Sequence, residues 1–160
     1  MTGAEVELRE MSDEDFEIYR QLSFRNFVRE SARAARKSEE LILKAVGQAP
    51  TTRSANDLWY VAHSAQGPQG FLWVQLRPEE GNSAFGYDIY VNEEARSRGI
   101  GRAMMKQGTA LLKSRGVSKL NICVFEDNAI AHKLYASLGF KETAYNAERN
   151  QFTLALDLKR

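Results

Sequence analysis

The stretch Arg96-Ser97-Arg98-Gly99-Ile100-Gly101 constrains this chain most, because it joins two runs of different periodicity. Before it, Phe85-Gly86-Tyr87-Asp88-Ile89-Tyr90-Val91 is short, aromatic and β-branched, as a strand is, and ends in the polar run Asn92-Glu93-Glu94-Ala95. After it, the apolar positions Ala103, Met104, Leu111 and Leu112 repeat at helical spacing between Arg102 and Arg115. Both glycines therefore sit in a strand-to-helix turn. Glycine has no Cβ, takes positive φ readily and leaves neighbouring N–H groups free to converge on one anion. The first helical turn adds unpaired N–H groups and the positive end of its dipole, and Arg96, Arg98 and Arg102 add full charges. These features fit a pyrophosphate cradle. The competing reading is a plain tight turn before a helix.

Two other glycine motifs fail on these residues. A P-loop needs Gly-x-x-x-x-Gly-Lys-Ser/Thr, and no such run occurs. A dinucleotide fingerprint needs a third glycine where Met104 stands, although Glu126 after the next strand could serve as its acidic partner.

Arg96-x-x-Gly99-x-Gly101 between a strand and a helix resembles the coenzyme A pyrophosphate loop of the GNAT family of N-acetyltransferases. Downstream, Asn128-Ala-Ile-Ala131-His-Lys-Leu134-Tyr135-Ala-Ser-Leu-Gly139-Phe140 is similar to the family's Asn-x-x-Ala-x-x-Leu-Tyr-x-x-x-Gly-Phe segment. The resemblance is strong over about residues 84 to 145 and weaker outside them. It implies acetyl-CoA as cosubstrate, no metal, and direct attack in a ternary complex by a primary amine of a small molecule or protein. Arg96, Ser97, Arg98, Gly99, Ile100, Gly101 and Arg102 would hold the pyrophosphate, and Asn128 would hydrogen-bond the pantetheine arm. The backbone of Ile89, Tyr90 and Val91 would pair with that arm as an added strand would. As the tetrahedral intermediate collapses, the departing thiolate needs a proton, and the phenol of Tyr135 would give it.

Asn128 and Tyr135 are seven residues apart, close to two helical turns, and His132 between them joins the same face. Core packing is the competing reading for Tyr135, beside Leu134. The general base is left open. Many family members carry a glutamate on the fifth strand, five residues before the motif asparagine, where this chain has Cys123. Strand parity turns Cys123 to the acceptor side, and a lone cysteine there reads as packing. Asp88, Glu126 and His132 are the remaining candidates, directly or through water, and no spacing separates them. His63 reads as a surface residue. The missing glutamate motivates a second hypothesis, a non-catalytic acyl-CoA-binding sensor, and a nucleotide-binding module using the turn alone is a third.

Elsewhere the punctuation is local. Val6 to Met11 alternates as a first strand, and Ser12 caps a long helix carrying Phe16, Tyr19, Leu22, Phe27 and Val28. A basic and small-residue segment, Arg29 to Lys37, leads to Ser38, which caps a second helix closed by Gly47. In the family this helix pair lines the acceptor side. Leu58 to Ala62 and Gly70 to Leu76 read as a hairpin turning at Gly67-Pro68-Gln69-Gly70. Lys119 to Phe125 follows the helix that ends at Arg115-Gly116, so it should lie parallel to the fourth strand. A helix from Ala129 to Leu138 and strands Phe140 to Ala144 and Gln151 to Leu158 complete the order βααβββαβαββ. The fold class is a mixed, mostly antiparallel α/β sheet flanked by helices, one domain over 1–160 with strands four and five parallel. A doubly wound fold would need several successive βα units.

With 22 basic and 21 acidic residues, no global field favours nucleic acid or a membrane surface. One cysteine excludes an intrachain disulfide and a multi-cysteine zinc site. No secretory leader or membrane-length apolar run is present, which points to the cytosol. Exposed sheet edges in such a fold leave room for a homodimer.

Overall fold

A computed structural model of the chain describes residues 5–159. Its elements follow the order expected: β1 (Glu7–Glu10), α1 (Asp13–Ala35), α2 (Glu39–Val46), β2 (Asp57–Ser64), β3 (Gly67–Arg77), β4 (Ser83–Val91), α3 (Ile100–Ser114), β5 (Lys119–Phe125), α4 (Ala129–Ser137), β6 (Lys141–Asn146) and β7 (Gln151–Asp157). The helix caps work as the serines suggest. Ser12 Oγ accepts from the Asp15 amide at 3.0 Å and Ser38 Oγ from the Leu41 amide at 3.2 Å. α1 runs through the basic segment to Ala35, and Arg36, at φ 56, closes it.

The strands form one sheet in the order β1-β2-β3-β4-β5-β7-β6. Among the described residues only β4 and β5 pair in parallel, and the helical crossover through α3 is what lets them do so. The hairpin differs from expectation. β2 and β3 turn at residues 65 and 66, and Gly67 to Gly70 belong to β3. A register shift after Ala62 admits Pro68 opposite His63. Gly70 lies inside the sheet, where a Cβ would stand 2.1 Å from the Tyr90 carbonyl oxygen. That glycine serves close approach between strands rather than a turn.

Helices cover both faces, which explains why β2 reads as a continuous apolar run instead of an alternation. Ile100, Met104, Met105 and Leu112 of α3 bury against Leu58, Tyr60, Leu72, Val74 and Ile122 on one face, with Ala131 and Tyr135 of α4 packed alongside. Phe16, Tyr19 and Leu22 of α1 cover Trp59, Val61, Phe71, Trp73 and Tyr90 on the other. Met104 is fully buried, so truncating it to alanine would cost about 2–5 kcal/mol. Among the described residues no helix is long and apolar enough to cross a membrane.

The sheet divides at its middle. β4 pairs with β5 only from Ser83 to Gly86, opposite Lys119 to Ile122. Tyr87 is then an extra residue, since Val74 lies opposite Gly86 and Trp73 opposite Asp88. Such a bulge bends its strand and re-aims the side chains beside it. Beyond it β4 stays with β3 to Val91 while β5 stays with β7 to Phe125, so the two central strands splay. Gly86 stands at the fork, where a Cβ would meet Ile122 Cγ2 at 2.9 Å.

Candidate active site

The turn after β4 builds a concentration of free donors. Gly99 is the N-cap of α3 at φ 78, no side chain caps that end, and Ser97 also has positive φ, at 65. Ala103 makes the first helical amide bond, to Gly99 O at 3.0 Å. The amides from Ser97 to Arg102 donate to no group among the described residues. Consecutive unpaired amides at the positive end of a helix fit a pyrophosphate. Gly101, by contrast, is helical. The positive φ that the turn needs falls on Ser97 and Gly99, and a Cβ on Gly101 would make ordinary 3.7 Å contacts with Val91 Cγ2 and Leu134 Cδ2.

The three arginines divide their work. Arg96 Nε donates to the Val91 carbonyl at 3.0 Å, and its guanidinium lies 5.5 Å from the centre of the Tyr90 ring. Arg102 reaches Ser137 Oγ at 2.8 Å, tying α3 to α4. Arg98 is exposed and forms no ion pair or hydrogen bond among the described residues. Of the three arginines, it alone has no partner to occupy its guanidinium among the described residues.

The Gly101 contacts bring the cradle, the end of β4 and α4 together at the mouth of the splay. On the β5 side Ile89, Tyr90 and Val91 have no strand partner. α4 presents Tyr135, half-buried and packed edge-on against Phe140 at 5.4 Å between ring centres. Burial, and after it the charge of Asp88, push the Tyr135 phenol up to about 12. Its hydroxyl has no hydrogen-bond partner among the described residues. Asn128 is exposed as the N-cap of α4: its Oδ1 accepts from the Ala131 amide at 3.1 Å, which leaves its NH₂ to donate elsewhere.

The candidate bases now separate. His132 is bound through Nε2 to the Phe125 carbonyl at 3.0 Å. Glu126 is exposed and accepts from the Tyr145 hydroxyl at 3.1 Å. Asp88 follows the bulge, accepts from Ser23 Oγ at 2.6 Å and is raised by burial to about 6, against the opposing pull of that bond and of the Ile89 amide. Cys123 keeps the parity expected of it, since Leu120, Ile122 and Val124 face the α3 core, and its sulfur lies 3.7 Å from Thr153 Oγ1. His63 closes β2 opposite Pro68, away from the splay. Among the described residues no three His, Cys, Asp or Glu side chains gather to hold a metal.

Two contributors escaped the sequence. Tyr87 as a bulge has no local signature, because it depends on pairing with β3. Ser23 had a faint one: a small polar residue beside Tyr19 and Leu22 on the apolar face of a long helix.

Comparison with known proteins identifies the family and the fold. The acetyltransferase (GNAT) family model matches residues 9–140. The uncharacterised N-acetyltransferase YycN of Bacillus subtilis (strain 168) is 27% identical over 146 residues, spanning 86% of this chain and 94% of its own. The crystal structure of the Bacillus subtilis acetyltransferase YycN superposes with a TM-score of 0.74 at 24% identity, covering 89% of this chain and 96% of that one. The PaiA N-acetyltransferase of Thermoplasma acidophilum, solved in complex with coenzyme A, superposes with a TM-score of 0.66 at 19% identity over 96% and 99% of the two chains. With that match running from β1 to Phe140 and the same fold in both structures, the chain belongs to the acetyltransferase (GNAT) family.

Proposed function

We propose that this protein is an N-acetyltransferase that moves an acetyl group from acetyl-CoA to a primary amine of a small molecule or protein. The observation that carries this is the run of free amides from Ser97 to Arg102 opening beside the unpaired edge of β4, with α4 against the same turn and its Tyr135 near enough to Asp88 to feel that charge. Acetyl-CoA supplies an activated thioester. The amides from Ser97 to Arg102, with Arg98, would bind its pyrophosphate, the edge from Ile89 to Val91 and the Asn128 NH₂ its pantetheine arm. The amine nitrogen bonds to the thioester carbon, the carbon–sulfur bond breaks, and the two proton movements fall to side chains. Tyr135, protonated at all ordinary pH, gives its proton to the leaving sulfur. Asp88, ionised above about pH 6, receives the proton that the amine sheds, directly or through water.

The test is a panel of primary amines and peptides incubated with acetyl-CoA, following release of free thiol. Release that depends on an amine supports transfer. Tight CoA binding with no thiol release from any acceptor would favour the sensor, and preference for NAD or ATP over CoA would favour the nucleotide module.

A further inference from the structure

Ser23 lies near the middle of α1 and is 5% exposed. On local grounds serine is a poor residue for that place, having lower helix propensity than alanine and a hydroxyl that competes for the carbonyl of the preceding turn. Here the hydroxyl leaves the helix altogether and donates to Asp88 Oδ2 at 2.6 Å, within the short range of charge-assisted bonds. α1 is held at both ends, by Arg53 on the Met11 carbonyl at 2.9 Å and by Asn150 on the Ala34 carbonyl at 2.7 Å. Ser23 is thus delivered to the bulge of β4 by a fixed element.

We propose that Ser23 is a positioning residue for acyl transfer, holding the Asp88 carboxylate in place from the α1 side and favouring the charged form that accepts the amine's proton. This rests on the assignment of Asp88 made above. The groups around Asp88 are few. α4 brings Tyr135, whose phenol stays neutral; β3 brings Trp73, which does not titrate; α1 brings Ser23. Among the described residues no arginine, lysine or histidine pairs with Asp88. Ser23 is the side-chain donor that opposes the effect of burial, and the Ile89 amide is the weaker helper. Removing the Ser23 hydroxyl therefore raises the pH at which Asp88 loses its proton.

The protein alone provides the first readout. With ¹³C-labelled aspartate, the Asp88 carboxyl is assigned by its loss in Asp88→Asn and titrated by NMR in wild type, Ser23→Ala and Ser23→Thr. The midpoint should rise by about one pH unit in Ser23→Ala and return in Ser23→Thr, since a hydrogen bond to a charged group carries about that much preference. The second readout is kcat against pH with the best amine of the panel. Its rising limb should move by the same amount in Ser23→Ala, with the KM for acetyl-CoA little changed. An unmoved midpoint, or a moved midpoint with an unmoved kcat limb, overturns the role of Ser23. Asp88→Asn turning over at the wild-type rate overturns the assignment of Asp88 as well, so the two failures are distinct.

Discussion

Asp88 on β4 and Tyr135 on α4 are coupled across the splay, and the carboxylate charge adds to burial in holding the phenol near 12. Burial pushes both groups upward to different ends: the phenol keeps its proton at ordinary pH, while the carboxyl is raised only to about 6. The pair can close its own proton cycle. In the proposed mechanism a phenolate left after protonating sulfur would be a far stronger base than the Asp88 carboxylate, so the proton taken from the amine would pass back to Tyr135, directly or through water.

Tyr135→Phe tests the acid. The change removes a hydroxyl that has no partner among the described residues and leaves the ring on Phe140, so melting temperature and CoA affinity should hold. A positioned general acid is worth about 10² to 10⁴ in rate, and kcat should fall within that range with little change in KM for acetyl-CoA. Wild-type kcat should also show no descending limb from this phenol below about pH 11. A Tyr135→Phe enzyme at full rate, with chemistry limiting, would reduce the ring to packing. Cys123→Ala, in contrast, should keep most activity, because among the described residues its sulfur has no polar partner beyond the 3.7 Å Thr153 contact.

Asp88→Asn should damage catalysis and stabilise the fold. The folded carboxyl sits at about 6 against 3.8 for the free group, so the folded state binds this proton more tightly than the unfolded one. Its contribution therefore favours the fold below the unfolded value and is lost as pH rises through about 6. At pH 8 the charged carboxylate costs on the order of 2 kcal/mol, allowing for its partial contact with solvent. The asparagine variant should melt about 4–8 °C higher by calorimetry near pH 8, with the gain gone near pH 4. Equal melting temperatures at both pH values would mean that Asp88 is hydrated and unsuited to the role. Catalysis should fall by about 10² or more.

Binding of the cosubstrate should be visible without any acceptor. A ligand that binds only the folded state adds RT ln(1 + [L]/Kd), about 2.7 kcal/mol at a hundredfold excess over Kd. For a chain of this size that is a rise of roughly 5–10 °C in melting temperature with CoA or acetyl-CoA. NAD and ATP should give less, since Met104 stands where the dinucleotide motif needs glycine and no P-loop is present. No shift with millimolar CoA would remove the central claim.

What the sequence made legible follows from range. Ser12, Ser38, Gly47 and Gly116 act within a few residues of themselves, and each marks its helix end in the structure. The parallel pairing of β4 and β5 was readable because a helix-length crossover permits little else. The turn expected at Gly67 to Gly70 moved because pairing across the sheet, with Gly70 under the Tyr90 carbonyl, outweighed local turn chemistry. Asp88 stood undistinguished from Glu126 and His132 for the same reason. Its environment depends on the Tyr87 bulge and on a serine 65 positions earlier, and neither leaves a mark at neighbouring residues.

The two glycines of the cradle should now part company under mutation. Gly99 holds φ 78, where an L residue is strained, whereas Gly101 is helical with room for a Cβ at 3.7 Å from its neighbours. Gly99→Ala should cost about 1 kcal/mol or more and re-aim the amides of the first helical turn, so CoA affinity by calorimetry should fall with the melting temperature. Gly101→Ala should leave the fold intact or slightly firmer, because alanine is the better residue inside a helix. Gly101→Val puts a three-carbon isopropyl group between Val91 and Leu134, at the point where α3, β4 and α4 meet, and should weaken CoA binding while the protein stays folded. If Gly99→Ala binds CoA as well as wild type, the free amides from Ser97 to Arg102 serve only to turn the chain. If Gly101→Val alone does so, the pyrophosphate lies clear of Gly101 and the cradle is centred on Ser97 to Gly99.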